Sequence, residues 1–516
     1  MNNTFNADEL TAQINTLLEE ERFGEAIEIC RGLADGFDND VYARITVLLL
    51  LAASRMAAGD PEGAVADHSE AMDIGDDIPA IEQLGIAEDG LKSHLPFEHC
   101  SRCFFRVGER FLSDGEDFSL AAGAFNKAGI CLFRSGASTT EEKACFVRAL
   151  EVMDENDTSD DERKQTLTAL IRSNLAECLS REGESEQAIE MYEAASEIFG
   201  RHLGDEDNMC LTHYAICQRC LSDLYRGKEE NIRAHACLCR SITELERRRR
   251  KLSEQLRLHL AVCYNARGTL RFQMGDYEGE IDDCTQSMIL REDLEHDPVA
   301  LATVVSNRAE AYSMMGRFEP ARQDFIRAID LLDSRPEDLS AAVSAATRSY
   351  SLGLLYTQEN LFEEACTAFR SAADRIASVR SRHPEDIEYT EEQLMDIEAL
   401  ARMRLGAAIY QCSERDYFDA MTEGREAIRL LEQLPLTMER AARLAALHLS
   451  LGEILEMFDE HEAAQDEYDL AEDYRDEGIA IAMSEGPFDD DEEYEYEDLQ
   501  YESSIWEDFG DDTPQG

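Results

Sequence analysis

The sequence predicts an all-α chain: a long stack of antiparallel helix pairs, ending in an acidic segment without regular structure. Three observations predict it. The 516 residues include only 10 Pro and 29 Gly, while Ala, Leu, Glu and Arg, all strong helix formers, are abundant. One spacing recurs along the chain: a small residue, an Ala twelve positions on, an aromatic four further, and another Ala three further. From Gly486 the composition changes, and residues 485–516 hold 14 acidic residues and no Lys or Arg. A hydrophobic content of 44% is enough for a large core and is not that of a wholly disordered protein.

From the N-terminus onward, the pattern is first weakly visible around Phe23, Ala26 and Cys30, and again over Leu51–Ala71. There Gly59-Asp60-Pro61 combines a helix-ending Gly, a capping Asp and a first-turn Pro. No repeat is assigned between about 90 and 155. The acidic stretch Asp154–Asp161 sets a soft boundary, so residues 1–155 form a degenerate helical part and 156–484 a regular one. The regular part contains Ala176, Ala188, Tyr192 and Ala195; then Ala309, Ala321, Phe325 and Ala328; then Gly353, Ala365, Phe369 and Ala372; then Gly452, Ala464, Tyr468 and Ala471. A weaker copy covers Gly268–Ser287, and Asp297-Pro298 opens a helix as Asp60-Pro61 does. Glu280 and Gly424 stand where Ala and an aromatic are expected, and His68 replaces an aromatic. The polar stretch His383–Asp386 is expected to be a loop. Residues 485–516 repel themselves and lack aliphatic periodicity, so disorder is expected there. They nevertheless carry Trp506, the only Trp, and Phe509.

The spacing has a physical cause. Two antiparallel helices approach closely only where small residues face each other at the crossing. The aromatic of the second helix then fills the space between pairs. Turn positions fall at Gly183, Gly227, Gly275, Gly316, Asn360 and Arg415, where a residue must take the left-handed conformation.

These residues resemble the tetratricopeptide repeat (TPR) family over roughly residues 9–484. The turn-to-turn intervals of 41 to 48 residues between Gly183 and Asn360 exceed the usual repeat and are similar to the longer repeats of kinesin light chains. The resemblance implies a right-handed α-solenoid (a TPR-like superhelix) whose concave face is lined by each first helix and grips a peptide or protein segment. It places Asn174, Asn265, Phe272, Asn307, Glu310 and Met314 on that face. The Lys and Arg of the family's carboxylate clamp are not matched.

A formal net charge of -61 repels phosphate backbones and anionic lipid. Nucleic acid and membrane are therefore disfavoured, and a partner of basic character is the better complement. The start has neither a basic nor an apolar segment, and the longest apolar run, Ile45–Ala53, is too short to span a bilayer. A cytoplasmic protein with reduced thiols is expected. One island departs from the acidity: Arg247, Arg248, Arg249, Arg250 and Lys251 stand together. They suit an acidic docking partner, Trp506 and Phe509 of the tail included, or simply a helix C-terminus. Two Cys-x-x-Cys pairs, Cys100 with Cys103 and Cys217 with Cys220, could build a zinc site. They lie far apart in helical sequence, and Cys30, Cys284 and Cys366 occupy small apolar repeat positions. Packing is therefore the expected role, and no metal or cofactor is assigned. No phosphate loop, nucleophile elbow or paired-His motif is present, so no catalytic residue is assigned. The functional expectation is a scaffold or adaptor. The alternatives are a peptide-responsive regulator, and a metal- or redox-sensing helical protein using the cysteine pairs.

Overall fold

The structure is a computed structural model, and it describes residues 6–34, 37, 40–115, 117–156, 161–204, 209–294, 297–382, 387, 389–412 and 417–484. Trp506, Phe509 and the rest of the acidic tail, the turn at Arg415 and the stretch His383–Asp386 lie outside the described residues.

Among the described residues there are 22 α-helices, two short 3-10 turns and no strand. The helices are α1 (Ala7–Glu19), α2 (Phe23–Ala34), α3 (Val41–Ala57), α4 (Pro61–Ile74), α5 (Ala80–Lys92), α6 (Phe97–Ser113), α7 (Phe118–Ser135) and α8 (Thr139–Asp154). They continue with α9 (Glu162–Arg181), α10 (Ser185–Arg201), α11 (Met209–Gly227), α12 (Asn231–Arg247), α13 (Glu254–Gln273), α14 (Tyr277–Asp293) and α15 (Pro298–Met314). The last are α16 (Phe318–Asp333), α17 (Leu339–Gln358), α18 (Phe362–Ser381), α19 (Glu391–Cys412), α20 (Tyr417–Leu431), α21 (Met438–Met457) and α22 (His461–Ser484). The packing divides the chain into two units, Met1–Cys263 and Tyr264–Gly516, with the division inside α13. The composition break at 155/156 falls between α8 and α9, and Phe146 of α8 packs with Leu175 and Leu179 of α9 across it.

Sequence signals set the helix starts. Asp60 caps α4 by accepting from the Gly63 amide, and Pro61 occupies the first turn. Asp297 and Pro298 open α15 in the same way. Side-chain oxygens thereby satisfy amides that have no intrahelical partner. Gly59, Gly183, Gly275 and Gly316 take positive φ at the turns, as expected, and Asn360 does so at φ 58°. Gly227 does not. It ends α11, and the left-handed residue is Glu229 at φ 61°. The helix runs on through Gly227 because the turn needs its left-handed residue just ahead of α12.

The recurrent small residue and aromatic meet as the spacing predicts. A Cβ at Gly353 would lie 2.6 Å from the ring of Phe369, and one at Gly452 would lie 2.5 Å from the ring of Tyr468. The glycine is needed here for close approach. The same contact appears where the spacing shows no repeat: Gly108 lies against Phe125, and Gly129 against Phe146. These two copies run Gly108, Ala121, Phe125, Ala128 and Gly129, Glu142, Phe146, Ala149. Each carries one extra residue between the small residue and the second helix, which hides it from a fixed-interval reading. The same close approach thus occurs on both sides of α7, so α6, α7 and α8 stack in succession through glycine–ring contacts of the repeat's kind. No described helix is long and apolar enough to cross a membrane.

Candidate functional site

Two asparagine bridges join successive first helices. Asn174 Nδ2 of α9 donates to Asn126 Oδ1 of α7 at 2.9 Å. Asn307 Nδ2 of α15 donates to Asn265 Oδ1 of α13 at 3.2 Å. The register is the same in both units: the acceptor stands three residues before the crossing glycine (Gly129, Gly268), and the donor two residues before the crossing alanine (Ala176, Ala309). Asn126 is buried, whereas Asn174, Asn265 and Asn307 are half-buried and keep further donor and acceptor capacity toward solvent. The repeat register predicts Asn174, Asn265 and Asn307 on this face. It does not predict Asn126, whose repeat the extra residue conceals.

The other expected face residues have different surroundings. Phe272 is half-buried, edge-on to Tyr277 with ring centroids 5.3 Å apart. Met314 is exposed. The Glu310 side chain reaches solvent, yet the protein atoms crowding it lift its carboxyl above the usual carboxylate range, with Arg348 pulling the other way. Glu280, in the second helix of the neighbouring pair, is buried. Its desolvation, with Glu310 and Asp283 nearby, pushes its carboxyl up to about 8.

Ion pairs not expected from the sequence tie α13 and α15 to their hairpin partners. Arg267 grips Asp283 through two bonds of 2.8 and 2.6 Å. Arg308 grips Asp324 the same way, at 2.7 and 2.8 Å. Both pairs join the two helices of one hairpin, sixteen residues apart. That interval is the signal that could have revealed them. A planar guanidinium fits a carboxylate with two parallel bonds, and burial strengthens the fit.

The basic island is largely internal to its own helix end. Arg247 pairs with Glu244 at 2.8 Å and Arg249 with Glu246 at 3.2 Å. The Arg248 side chain is largely covered, bonding Glu244 and, through Nε at 2.7 Å, the Gly204 carbonyl. Arg250 and Lys251 are exposed beyond the end of α12. The cations sit at the C-terminal end of that helix, where they complement the dipole.

The cysteines divide. Cys30, Cys284 and Cys366 are buried in repeat positions, as expected. Cys217 contacts Ser173 at 3.5 Å, and Cys220 lies beside Arg219. Cys100 faces the Leu95 carbonyl at 3.7 Å. Among the described residues, the cysteine, histidine and carboxylate atoms that converge in a group of three belong to His68, His99 and Cys103, all buried. The Cys-x-x-Cys pairs therefore do not combine into a four-thiol site. Cys103 instead joins two histidines that stand alone in the sequence.

No protein-family model matches the chain, and no curated protein matches it. Solved structures do. The apo form of RapI is 11% identical, with 78% of this chain and 98% of that one covered at a TM-score of 0.46. A STAND signal-transduction ATPase with a tetratricopeptide repeat sensor, from Pyrococcus horikoshii, is 13% identical, covering 75% of this chain and 54% of that one at 0.44. A putative kinesin light chain with TPR-like repeats, from Podosopora anserina, is 14% identical, covering 42% and 96% at 0.32. These likenesses concern fold alone. It is the chain's own packing, glycine or alanine of one helix against the ring of the next, that makes its repeats TPR-like.

Proposed function

We propose that the chain is a protein-interaction scaffold that grips an extended segment of a partner along the face lined by its first helices. The observation that carries this reading is the asparagine bridge repeated in the same register, Asn126–Asn174 and Asn265–Asn307. An amide can donate to and accept from a peptide backbone at once, so half-buried Asn174, Asn265 and Asn307 can each grip main chain with little regard to sequence, while buried Asn126 holds Asn174 in place. Exposed Met314 and Met274 near the same helix ends add adaptable apolar contact. The charge of -61 makes a basic segment the electrostatic complement. Arg250 and Lys251 offer a separate contact for acidic sequence, with Trp506 and Phe509 as occupants from the chain itself.

Fluorescence anisotropy with labelled extended peptides of equal length, one set basic and one acidic, tests the reading. Binding of the basic set, weakened about tenfold by Asn174→Ala with Asn307→Ala and by raised salt, is expected. Equal binding of both sets, or affinity indifferent to the double substitution, would sink it. Docking of the tail predicts that the Trp506 emission shifts when Arg250 and Lys251 become Gln at low salt. Unchanged emission removes it.

A further inference from the structure

We propose that His68, His99 and Cys103 form a binding site for Zn²⁺ or a similarly borderline-soft divalent cation, held between α4 and α6. The His99 Nε2 and His68 Nδ1 atoms lie 3.0 Å apart. Cys103 Sγ lies 3.6 Å from the first and 4.0 Å from the second. A tetrahedral zinc with Zn–N of about 2.0 Å and Zn–S of about 2.3 Å needs its ligand atoms about 3.3 to 3.6 Å apart. The three donors already stand at nearly that separation, so an ion needs only small side-chain adjustments.

The orientation of His68 is a second, independent observation. Its Nε2 lies 2.9 Å from the Ile86 carbonyl, which can only accept. Nε2 therefore carries the proton, and the Nδ1 lone pair is turned toward His99 and Cys103. A ring N–H fixed on a backbone carbonyl is how ligating histidines are commonly oriented. His99 and Cys103 are four apart on α6, so they share one face and chelate together. Cys100 does not join them. Its thiol faces the Leu95 carbonyl and lies near Gly90, on the Nε2 side of His68. The chelating interval is thus His-x-x-x-Cys, not the Cys-x-x-Cys that overlaps it.

Without an ion, the His99 Nε2–H donates to His68 Nδ1. On binding, His99 carries its proton on Nδ1 instead and Cys103 loses its thiol proton. The balance is one M²⁺ taken up, one M–S bond formed and one H⁺ released to solvent. Three protein ligands leave a fourth position for water.

The test uses the full chain, stripped with a chelator under reducing conditions and titrated with Co²⁺ as the probe. The expected result is saturation at one ion per chain. It brings intense visible bands of tetrahedral cobalt and a thiolate-to-cobalt charge-transfer band, both erased by added Zn²⁺. Cys103→Ser should abolish the charge-transfer band and weaken binding at least tenfold, while Cys217→Ser leaves both unchanged. Should Cys103→Ser lose its helical circular dichroism, His68→Phe is read in its place, and the same loss is expected. A hydrogen-bonded cluster without metal affinity gives no cobalt band at all. That outcome, or a band that survives both substitutions, overturns the proposal.

Discussion

Phe369 and His68 occupy the same place in two different helix pairs, sixteen residues after the small residues Gly353 and Ala52. Phe369 packs against its hairpin partner, where a Cβ on Gly353 would come within 2.6 Å of the ring. His68 looks onward instead, to Gly90 of the next helix, where a Cβ would meet its Nε2 at 2.9 Å. Both slots admit a planar ring because a glycine lets the backbone come close. The ring's chemistry then decides what the slot does. Phe369 contributes only apolar area, whereas His68 presents a nitrogen to two further donors from α6. A third slot, at Gly268, holds Cys284 in the ring position and Glu280 in the preceding alanine position, and a Cβ on that glycine would lie 3.5 Å from each. The repeat therefore tolerates three chemistries at one geometric position, and only the apolar one follows the sequence template.

Substitutions break or sharpen this comparison. The largest effect is expected at the glycine of the apolar slot. Gly353→Val should cost about 3 kcal/mol in urea unfolding, because a branched side chain cannot fit against Phe369 without moving the helix. A cost below about 1 kcal/mol would mean that the crossing is loose.

Phe369→His should cost about 2 kcal/mol. Phe369 is fully buried, and the new imidazole would exchange apolar contact for nitrogens needing partners. The same measurement shows whether the slot is intrinsically apolar or accepts a polar ring wherever partners exist.

Glu280 tests the third slot through pH. The unfolded chain releases its proton near 4.5, and the native one holds it to about 8. Between those values the native state binds more protons, so stability falls as pH rises and levels off above the higher one. Glu280→Gln should flatten that slope and stabilise the protein by roughly 2 kcal/mol at a pH of about 9. Parallel curves for parent and variant would show that Glu280 does not titrate in this way.

The smallest effect on stability is expected from His68→Phe in metal-free protein, about 1 kcal/mol, since an aromatic is the residue the template expects there while the buried His99 Nε2–H loses its acceptor. The Ile86 carbonyl keeps its helical acceptor role. A loss of several kcal/mol would instead show that the histidine cluster is a structural core in its own right.

Much of the fold is legible in the sequence because its signals are local. A small residue and a ring sixteen positions apart belong to one hairpin, so the chain writes their contact at a fixed interval. A single extra residue in the turns after α6 and α7 shifts that interval and conceals Gly108–Phe125 and Gly129–Phe146. The asparagine bridges are partly legible. Asn174, Asn265 and Asn307 follow the register, and Asn126 is lost with its repeat. The Arg267–Asp283 and Arg308–Asp324 pairs share the sixteen-residue interval, but in a chain rich in charge their pairing does not stand out.

Sequence by itself determined that helices form, where most of them start, and that small residues and rings alternate to let them stack. Periodicity, caps and turn residues act within one or two turns of chain, and their energetics do not depend on what lies across the core. Only tertiary structure decided that His68, 31 residues from His99 and 35 from Cys103, meets both of them. Those three residues sit on α4 and α6, which are not neighbours in sequence. Their approach is set by how helix pairs stack on one another, and no interval along the chain encodes it.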